Sequence, residues 1–123
     1  MEYLVISIGG ILGANARYWV ADWAAQRLGT EFPYGTFIIN ISGSFLLGLF
    51  MAFLQHRAFI NPNYRLFFAT GFCGAYTTFS TLTYESLRLF QDGSILLGCT
   101  NLVGSLIVGM FAICGGFLIG RMI

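Results

Sequence analysis

The sequence predicts an all-α membrane protein with four transmembrane helices. Of its 123 residues, 57% are hydrophobic and only 9% are charged, which is too apolar for an ordinary soluble domain. A bilayer core takes about 20 residues of helix, and four apolar segments of that length follow one another along the chain. We therefore predict a single transmembrane domain over residues 1–123, with its third helix broken near Gly71–Thr78.

The four predicted spans cover almost the whole chain, at about 3–28, 33–55, 64–90 and 94–120. The turns between them are too short to hold an extramembrane domain, so the spans should form one bundle in contact with lipid. The chain begins Met1-Glu2 without a basic stretch, and no small-residue cleavage site follows a short apolar core. We therefore expect a multi-pass membrane protein without a signal peptide.

The first span contains a cation well inside its apolar segment. Arg17 needs water, a carboxylate or carbonyl groups around it. Asp22 is a candidate partner, although its offset along the helix is poor for a side-chain pair. A snorkelling arginine near the end of a short helix is the alternative. In either case its charge would repel a permeating cation and attract an anion, so we place Arg17 at a vestibule.

The second and fourth spans carry polar or small residues at four-residue spacing, which puts each set on one helix face. The two sets are Thr36, Asn40 and Ser44, and Asn101, Ser105 and Gly109. Adhesion between helices is one explanation, since small and polar residues allow close approach and hydrogen bonds. Pore lining is the other, because the two asparagine amides have apolar sequence neighbours that offer no partners. Spacing alone favours neither explanation.

The third span is the most informative segment. Its sequence GFCGAYTTFSTLTYE, residues 71–85, places glycines and hydroxyl groups within an apolar stretch. In hydrocarbon, backbone groups released from a helix are tolerated only where they are buried in protein or line a polar cavity or ion site. The break therefore predicts a functional site rather than a kink whose hydroxyls bond back to the preceding turn. After it, Thr78, Thr81, Glu85 and Arg88 share one helix face.

The residue types of common catalytic and metal sites are missing. The one histidine, His56, falls at a predicted turn, so neither a histidine-based triad nor a metal cluster can be built. Cys73, Cys99 and Cys114 are dispersed through apolar spans and are typical of small core residues. No phosphate loop or basic patch is present. The sequence predicts neither an enzyme nor a nucleic-acid-binding protein.

Positive charge is nearly balanced between the two ends of the bundle. Arg57, Arg65 and Arg121 lie on one side, Arg27 and Arg88 lie on the other, and lysine is absent. Because orientation follows the Lys/Arg bias of short loops, we expect the chain to insert in both orientations. Two inverted copies would pair about a two-fold axis in the membrane plane, which predicts an antiparallel homodimer.

Three segments resemble signature sequences of the Fluc/CrcB family of small bacterial fluoride channels. They are GGILGANARYW (9–19), GTFIINISGSFLLG (35–48) and GFCGAYTTFSTLTYE (71–85), and the resemblance covers all four spans. It implies a dual-topology, antiparallel dimer in the cytoplasmic membrane, with two pores and a structural sodium ion at the dimer centre. It also implies export of fluoride, which relieves fluoride toxicity. A heterodimer with a paralogous chain stays open as an alternative.

The resemblance further implies roles for individual residues. The sodium ion would be bound by the backbone carbonyls of Gly74 and Thr77. Independently of the resemblance, Glu85 lies near the end of its helix and is placed with Arg17 at a vestibule. The anion pathway would be lined by Thr36, Asn40, Phe79, Ser80, Thr81, Leu82, Asn101 and Ser105. Two of these depart from the family pattern, since Leu82 stands where the family has a second pore phenylalanine and Asn101 where it has tyrosine.

Two other function classes are weighed against a passive fluoride channel. A small dual-topology cation or drug antiporter needs an intramembrane carboxylate, yet the first span offers Arg17, and Asp22 is the only in-span acid before Glu85. A structural subunit of a larger membrane complex would explain the small-residue packing but would leave the polar break without a role. Preference for fluoride over chloride is implied by the resemblance and by no other feature.

Overall fold

The computed structural model describes every residue from Met1 to Ile123, and all of its regular structure is helical. Its long helices are α1 (Glu2–Leu28), α2 (Tyr34–Gln55) and α6 (Ile95–Met122). These three are long and apolar enough to cross a membrane. Their bounds follow the first, second and fourth predicted spans closely, and the prediction of an all-helical, multi-pass protein is confirmed.

The third predicted span is divided into several pieces. They are α3 (Pro62–Arg65), a π-helix (Leu66–Cys73), α4 (Gly74–Tyr76) and α5 (Phe79–Gln91). Thr77 and Thr78, which we call the break, have extended backbones, with φ/ψ of −79°/158° and −151°/120°. The predicted interruption is therefore confirmed, and it falls at the end of the predicted segment. The π-helix before it was not predicted.

Glycines bring the helix backbones into direct contact. On α6, a Cβ added at Gly116 would overlap the carbonyl oxygen of Phe45 in α2. On α1, a Cβ added at Gly9 or Gly13 would overlap carbonyl oxygens of the π-helix. Close approach through small residues is the usual way in which membrane helices gain packing without a hydrophobic driving force. The glycines of α1 and α6 thus hold the π-helix and α2 in place.

We expect Gly116→Ala to destabilise the protein by about 1–3 kcal/mol, since the added methyl group forces two backbones apart. Gly115→Ala is the matched control, because a Cβ at Gly115 meets no atom within 4 Å. The temperature at which half of the detergent-solubilised protein remains monodisperse, read by size-exclusion chromatography, compares the two variants. Equal midpoints would contradict the packing argument.

A row of aromatic rings fixes the first half of the third span against α2. The rings of Phe68 and Phe72 are stacked at 5.6 Å, and those of Phe72 and Tyr76 at 5.7 Å. The ring centroid of Phe50 in α2 lies 4.4 Å from that of Phe68. At the end of the row, the Tyr76 hydroxyl is 2.9 Å from Ser42 Oγ, which itself donates to the Ile39 carbonyl. The residue before the break is therefore anchored on α2.

Candidate functional site

A cavity of about 560 Å³, called here the central cavity, opens beside the break. Residues of α2, the π-helix, α4, α5 and α6 form its walls together with the break itself. Among the predicted site residues, it brings together Asn40, Gly74, Thr77, Phe79, Leu82 and Ser105. The predicted residues Thr36, Ser80, Thr81 and Asn101 do not line it.

Asn40 of α2 binds the backbone of the break from across the cavity. Its Nδ2 donates to the Thr78 carbonyl at 3.0 Å, and its Oδ1 accepts from the Thr78 N–H at 2.8 Å. One amide side chain thus satisfies both backbone groups of an extended residue that no helix or strand can serve. Because an amide nitrogen carries two hydrogens, Asn40 keeps a second donor in addition to the bond with Thr78.

The break leaves two backbone carbonyls without their helical donors. In a continuous α-helix, the N–H of Thr78 would pair with the Gly74 carbonyl, and the N–H of Thr81 would pair with the Thr77 carbonyl. The Thr78 N–H instead donates to Asn40 Oδ1 at 2.8 Å, and the Thr81 N–H donates to Thr78 Oγ1 at 3.2 Å. Gly74 and Thr77 both lie at the central cavity. Both residues whose carbonyls lose a helical donor therefore line this cavity.

Hydroxyl groups cluster at the start of α5. Thr78 is the N-cap of this helix, and its hydroxyl donates to Thr81 Oγ1 at 3.1 Å. Ser80 Oγ lies 3.5 Å from the same hydroxyl. Capping of this kind satisfies a backbone amide that has no helical acceptor. Of these three hydroxyl residues, Thr78 alone lines the central cavity.

The phenyl ring of Phe79 is largely uncovered by its own chain, with 77% of its surface exposed. Leu82 lies one turn further along α5 and is half-buried on the same cavity. An aromatic edge carries partial positive charge and can contact an anion, whereas a leucine side chain supplies only an apolar wall. Of Phe79 and Leu82, only Phe79 therefore has this electrostatic property.

A second cavity of about 370 Å³, called here the end cavity, lies between the α1–α2 turn and α5. Its polar lining includes Thr36, Tyr84, Glu85 and Arg88. The buried Thr36 hydroxyl donates to a carboxylate oxygen of Glu85, which connects α2 to α5. Because Thr36 lies one turn before Asn40 on α2, one polar stripe passes from the end cavity to the central cavity.

The family model described as "CrcB-like protein, Camphor Resistance (CrcB)" matches residues 4–117. The chain belongs to the CrcB family. Among its relatives, the "Fluoride-specific ion channel FluC" of Koribacter versatilis is 48% identical over 122 residues, which cover 99% of this chain and 97% of the relative. The protein of the same name from Acidobacterium capsulatum is 47% identical over 123 residues, or 100% and 98% of the two chains. The protein of the same name from Sulfurihydrogenibium sp. is 39% identical over 122 residues, which cover 99% of this chain and 98% of the relative.

Asn101 of this CrcB-family chain lies behind the cavity wall. It is fully buried, and its Nδ2 donates to Ser86 Oγ at 2.9 Å. Ser86 donates in turn to the Leu82 carbonyl at 2.8 Å. Asn101 Oδ1 and Ser105 Oγ are buried without a hydrogen-bond partner in the chain. Leu82 and Asn101, both predicted to line the anion pathway, are therefore joined through Ser86.

Several contacts were not found by sequence reasoning. Ser86 was not singled out, although a hydroxyl four residues after Leu82 can bond back to its carbonyl. Tyr76 and Ser42 were also missed, since nothing in their spacing indicates that they meet.

The predicted vestibule residue Arg17 is half-buried on α1 and lines neither cavity. Its candidate partner Asp22 instead accepts a hydrogen bond from Gln26 at 2.9 Å.

Proposed function

We propose that this chain forms a passive fluoride-selective channel that exports fluoride from the cell and so relieves its toxicity. The observation that carries the proposal is near full-length similarity to proteins named as fluoride-specific ion channels. The polar stripe along α2 and the break supports it, because it places hydrogen-bond donors between two cavities in an otherwise apolar bundle.

Fluoride is small and strongly hydrated, so it must exchange its water shell for protein donors along the way. From the end cavity, with Glu85 at the vestibule, we assign Thr36, Ser80 and Thr81 to the first part of the pathway. Because the Thr36 hydroxyl donates its hydrogen to Glu85, the hydroxyls of Ser80 and Thr81 supply the first donors. The central cavity follows, where Asn40 has its second amide hydrogen. The pathway there is completed by Phe79, Leu82 and Ser105, with Asn101 behind the wall. Arg17 lines neither cavity and keeps its predicted role at a vestibule outside them, where its charge attracts the anion. Binding must be strong enough to replace water and weak enough for release.

The donor set at the break fits a structural sodium ion. Carbonyl oxygens are suitable ligands for a hard cation. The carbonyls of Gly74 and Thr77 have lost their helical donors to Asn40 and Thr78. Two chains related by a two-fold axis would supply four such oxygens. When bound, the ion would hold the two breaks together, while the anion pathway is formed by side chains of the chain itself.

The open central cavity beside the break supports an antiparallel homodimer as the working unit. A polar break and open backbone carbonyls are not tolerated against lipid, so a second copy should cover them. Phe79, 77% exposed in the single chain, would be buried in the same contact. Outward-facing apolar residues such as Trp19 and Phe111 would then contact lipid. Pairing with a paralogous chain is the alternative.

Fluoride efflux from vesicles reconstituted with the purified protein tests the proposal. An electrode should record fluoride release that is independent of a proton gradient, while chloride release stays at the level of empty vesicles. An efflux rate that changes when a protonophore collapses the proton gradient would favour the antiporter. No release of any ion by correctly folded protein would favour a structural subunit.

Leu82→Phe should conduct fluoride at least as fast as the parent, because it restores an aromatic edge at no large cost in hydrophobicity. Leu102→Phe is the matched control, since it makes the same change on the α6 wall of the same cavity. We expect no gain in efflux rate from this control. A Leu82→Phe variant that folds but loses efflux would show that the pathway is built around leucine.

A further inference from the structure

We propose that Thr78 is a positioning residue for the cation site, because its hydroxyl keeps the Thr81 amide away from the Thr77 carbonyl. This inference rests on the sodium site proposed above. In this view the N-cap of α5, and not only the glycines of the segment, keeps a carbonyl free for the cation. Thr78 itself would not touch the ion through its side chain.

The geometry around Thr78 gives its hydroxyl one clear task. The residue is 8% exposed, and its extended backbone ends the break immediately before α5. Its Oγ1 accepts from the Thr81 N–H at 3.2 Å and donates to Thr81 Oγ1 at 3.1 Å. The hydroxyl therefore both accepts from and donates to Thr81, and Ser80 Oγ, at 3.5 Å, is a longer contact.

The acceptor that competes for the Thr81 amide is the Thr77 carbonyl. These two groups are four residues apart and would form the next bond of α5 if the helix were extended toward its N-terminus. Without the cap, the N–H of the half-buried Thr81 needs another acceptor, because leaving it unpaired is costly. Bonding to Thr77 would satisfy that amide but occupy an oxygen that the cation requires.

Asn40 performs the corresponding task for the other carbonyl, since its Oδ1 takes the Thr78 N–H away from Gly74. Asn40 also faces the proposed anion pathway, so its substitution would mix two effects. Thr78 provides the cleaner test, because its hydroxyl bonds are made within the first turn of α5.

The test compares Thr78→Val, which removes the hydroxyl at nearly equal volume, with Thr78→Ser, which keeps it. Full-length protein is purified in N-methyl-D-glucamine salts and titrated with sodium chloride at constant ionic strength, and the thermal unfolding midpoint is recorded. Losing an N-cap typically costs about 1 kcal/mol, so the half-saturating sodium concentration should rise about fivefold in Thr78→Val. Thr78→Ser should stay within about twofold of the parent.

Two further variants separate positioning from general destabilisation. Thr83→Val removes an exposed hydroxyl of α5, bonded to the Ser80 carbonyl, and should leave the sodium titration unchanged. Replacing the Thr81 backbone amide by an ester removes the competing donor. Combined with Thr78→Val, the ester should return the half-saturating concentration to near the parent value. Thr78→Ala is the substitute if valine does not pack.

Each result of the sodium titration either supports or overturns the role of Thr78. A sodium response in the parent that is unchanged in Thr78→Val would overturn this inference while leaving the sodium site in place. A Thr78→Val shift that the ester does not reverse would show that the cap acts on folding only. A parent whose midpoint does not respond to sodium would overturn both the sodium site and the role of Thr78, independently of fluoride efflux.

Discussion

Fluoride efflux should fall by at least about a hundredfold when Asn40 is replaced by aspartate, because a fixed negative charge opposes an anion at close range. The variant keeps an acceptor for the Thr78 N–H. It loses the donor to the Thr78 carbonyl and the second amide hydrogen that we assign to the anion. Initial efflux rates from vesicles with equal protein content measure the effect, and size-exclusion chromatography checks that the dimer still forms.

Phe79→Ile should abolish efflux by a different route, since it removes the aromatic edge while keeping an apolar side chain. The matched control is Phe111→Ile, which makes the same change at an exposed position on α6 that lines neither cavity. We expect the control to conduct as the parent does. Parental efflux rates in both Asn40→Asp and Phe79→Ile would contradict the assignment of the anion pathway.

The other large effect should come from forcing one orientation in the membrane. Lysines placed at Gln91 and Asp92 bias insertion, because short loops with more positive charge stay in the cytoplasm. Gly93 is left unchanged, since its φ of 85° is strained for other residues. A second variant is biased toward the opposite orientation by lysines that replace the exposed His56 and Ala58 in the α2–α3 turn.

Each biased variant alone should lose nearly all fluoride efflux, whereas co-expression of the two should restore it. The physical reason is that an antiparallel dimer needs both orientations, and a population with one orientation cannot form it. Orientation is read by labelling single cysteines in the two turns from one side of the membrane. Full efflux from a uniformly oriented population would rule out the antiparallel dimer and, with it, a sodium ion shared by inverted copies.

Hydropathy and local chemistry were enough to predict the four spans and the interrupted third helix. These features depend on neighbours in the chain, since span length follows from bilayer thickness and a helix ends where nearby side chains compete for its amides. The N-cap at Thr78 is of this local kind, as it acts on Thr81 within one turn. Membership of the family could also be suggested from contiguous segments.

Only the tertiary structure decided which polar groups meet. Asn40 reaches Thr78 across 38 residues of sequence, and Thr36 reaches Glu85 across 49. Such pairs depend on the rotation and axial offset of packed helices, which are set by backbone contacts such as those at Gly13 and Gly116. The same packing turned Asn101 away from the cavity toward Ser86 and placed a π-helix before the break. Sequence spacing fixes the face of a helix on which a residue lies, whereas the partner of that face is chosen by how the helices pack.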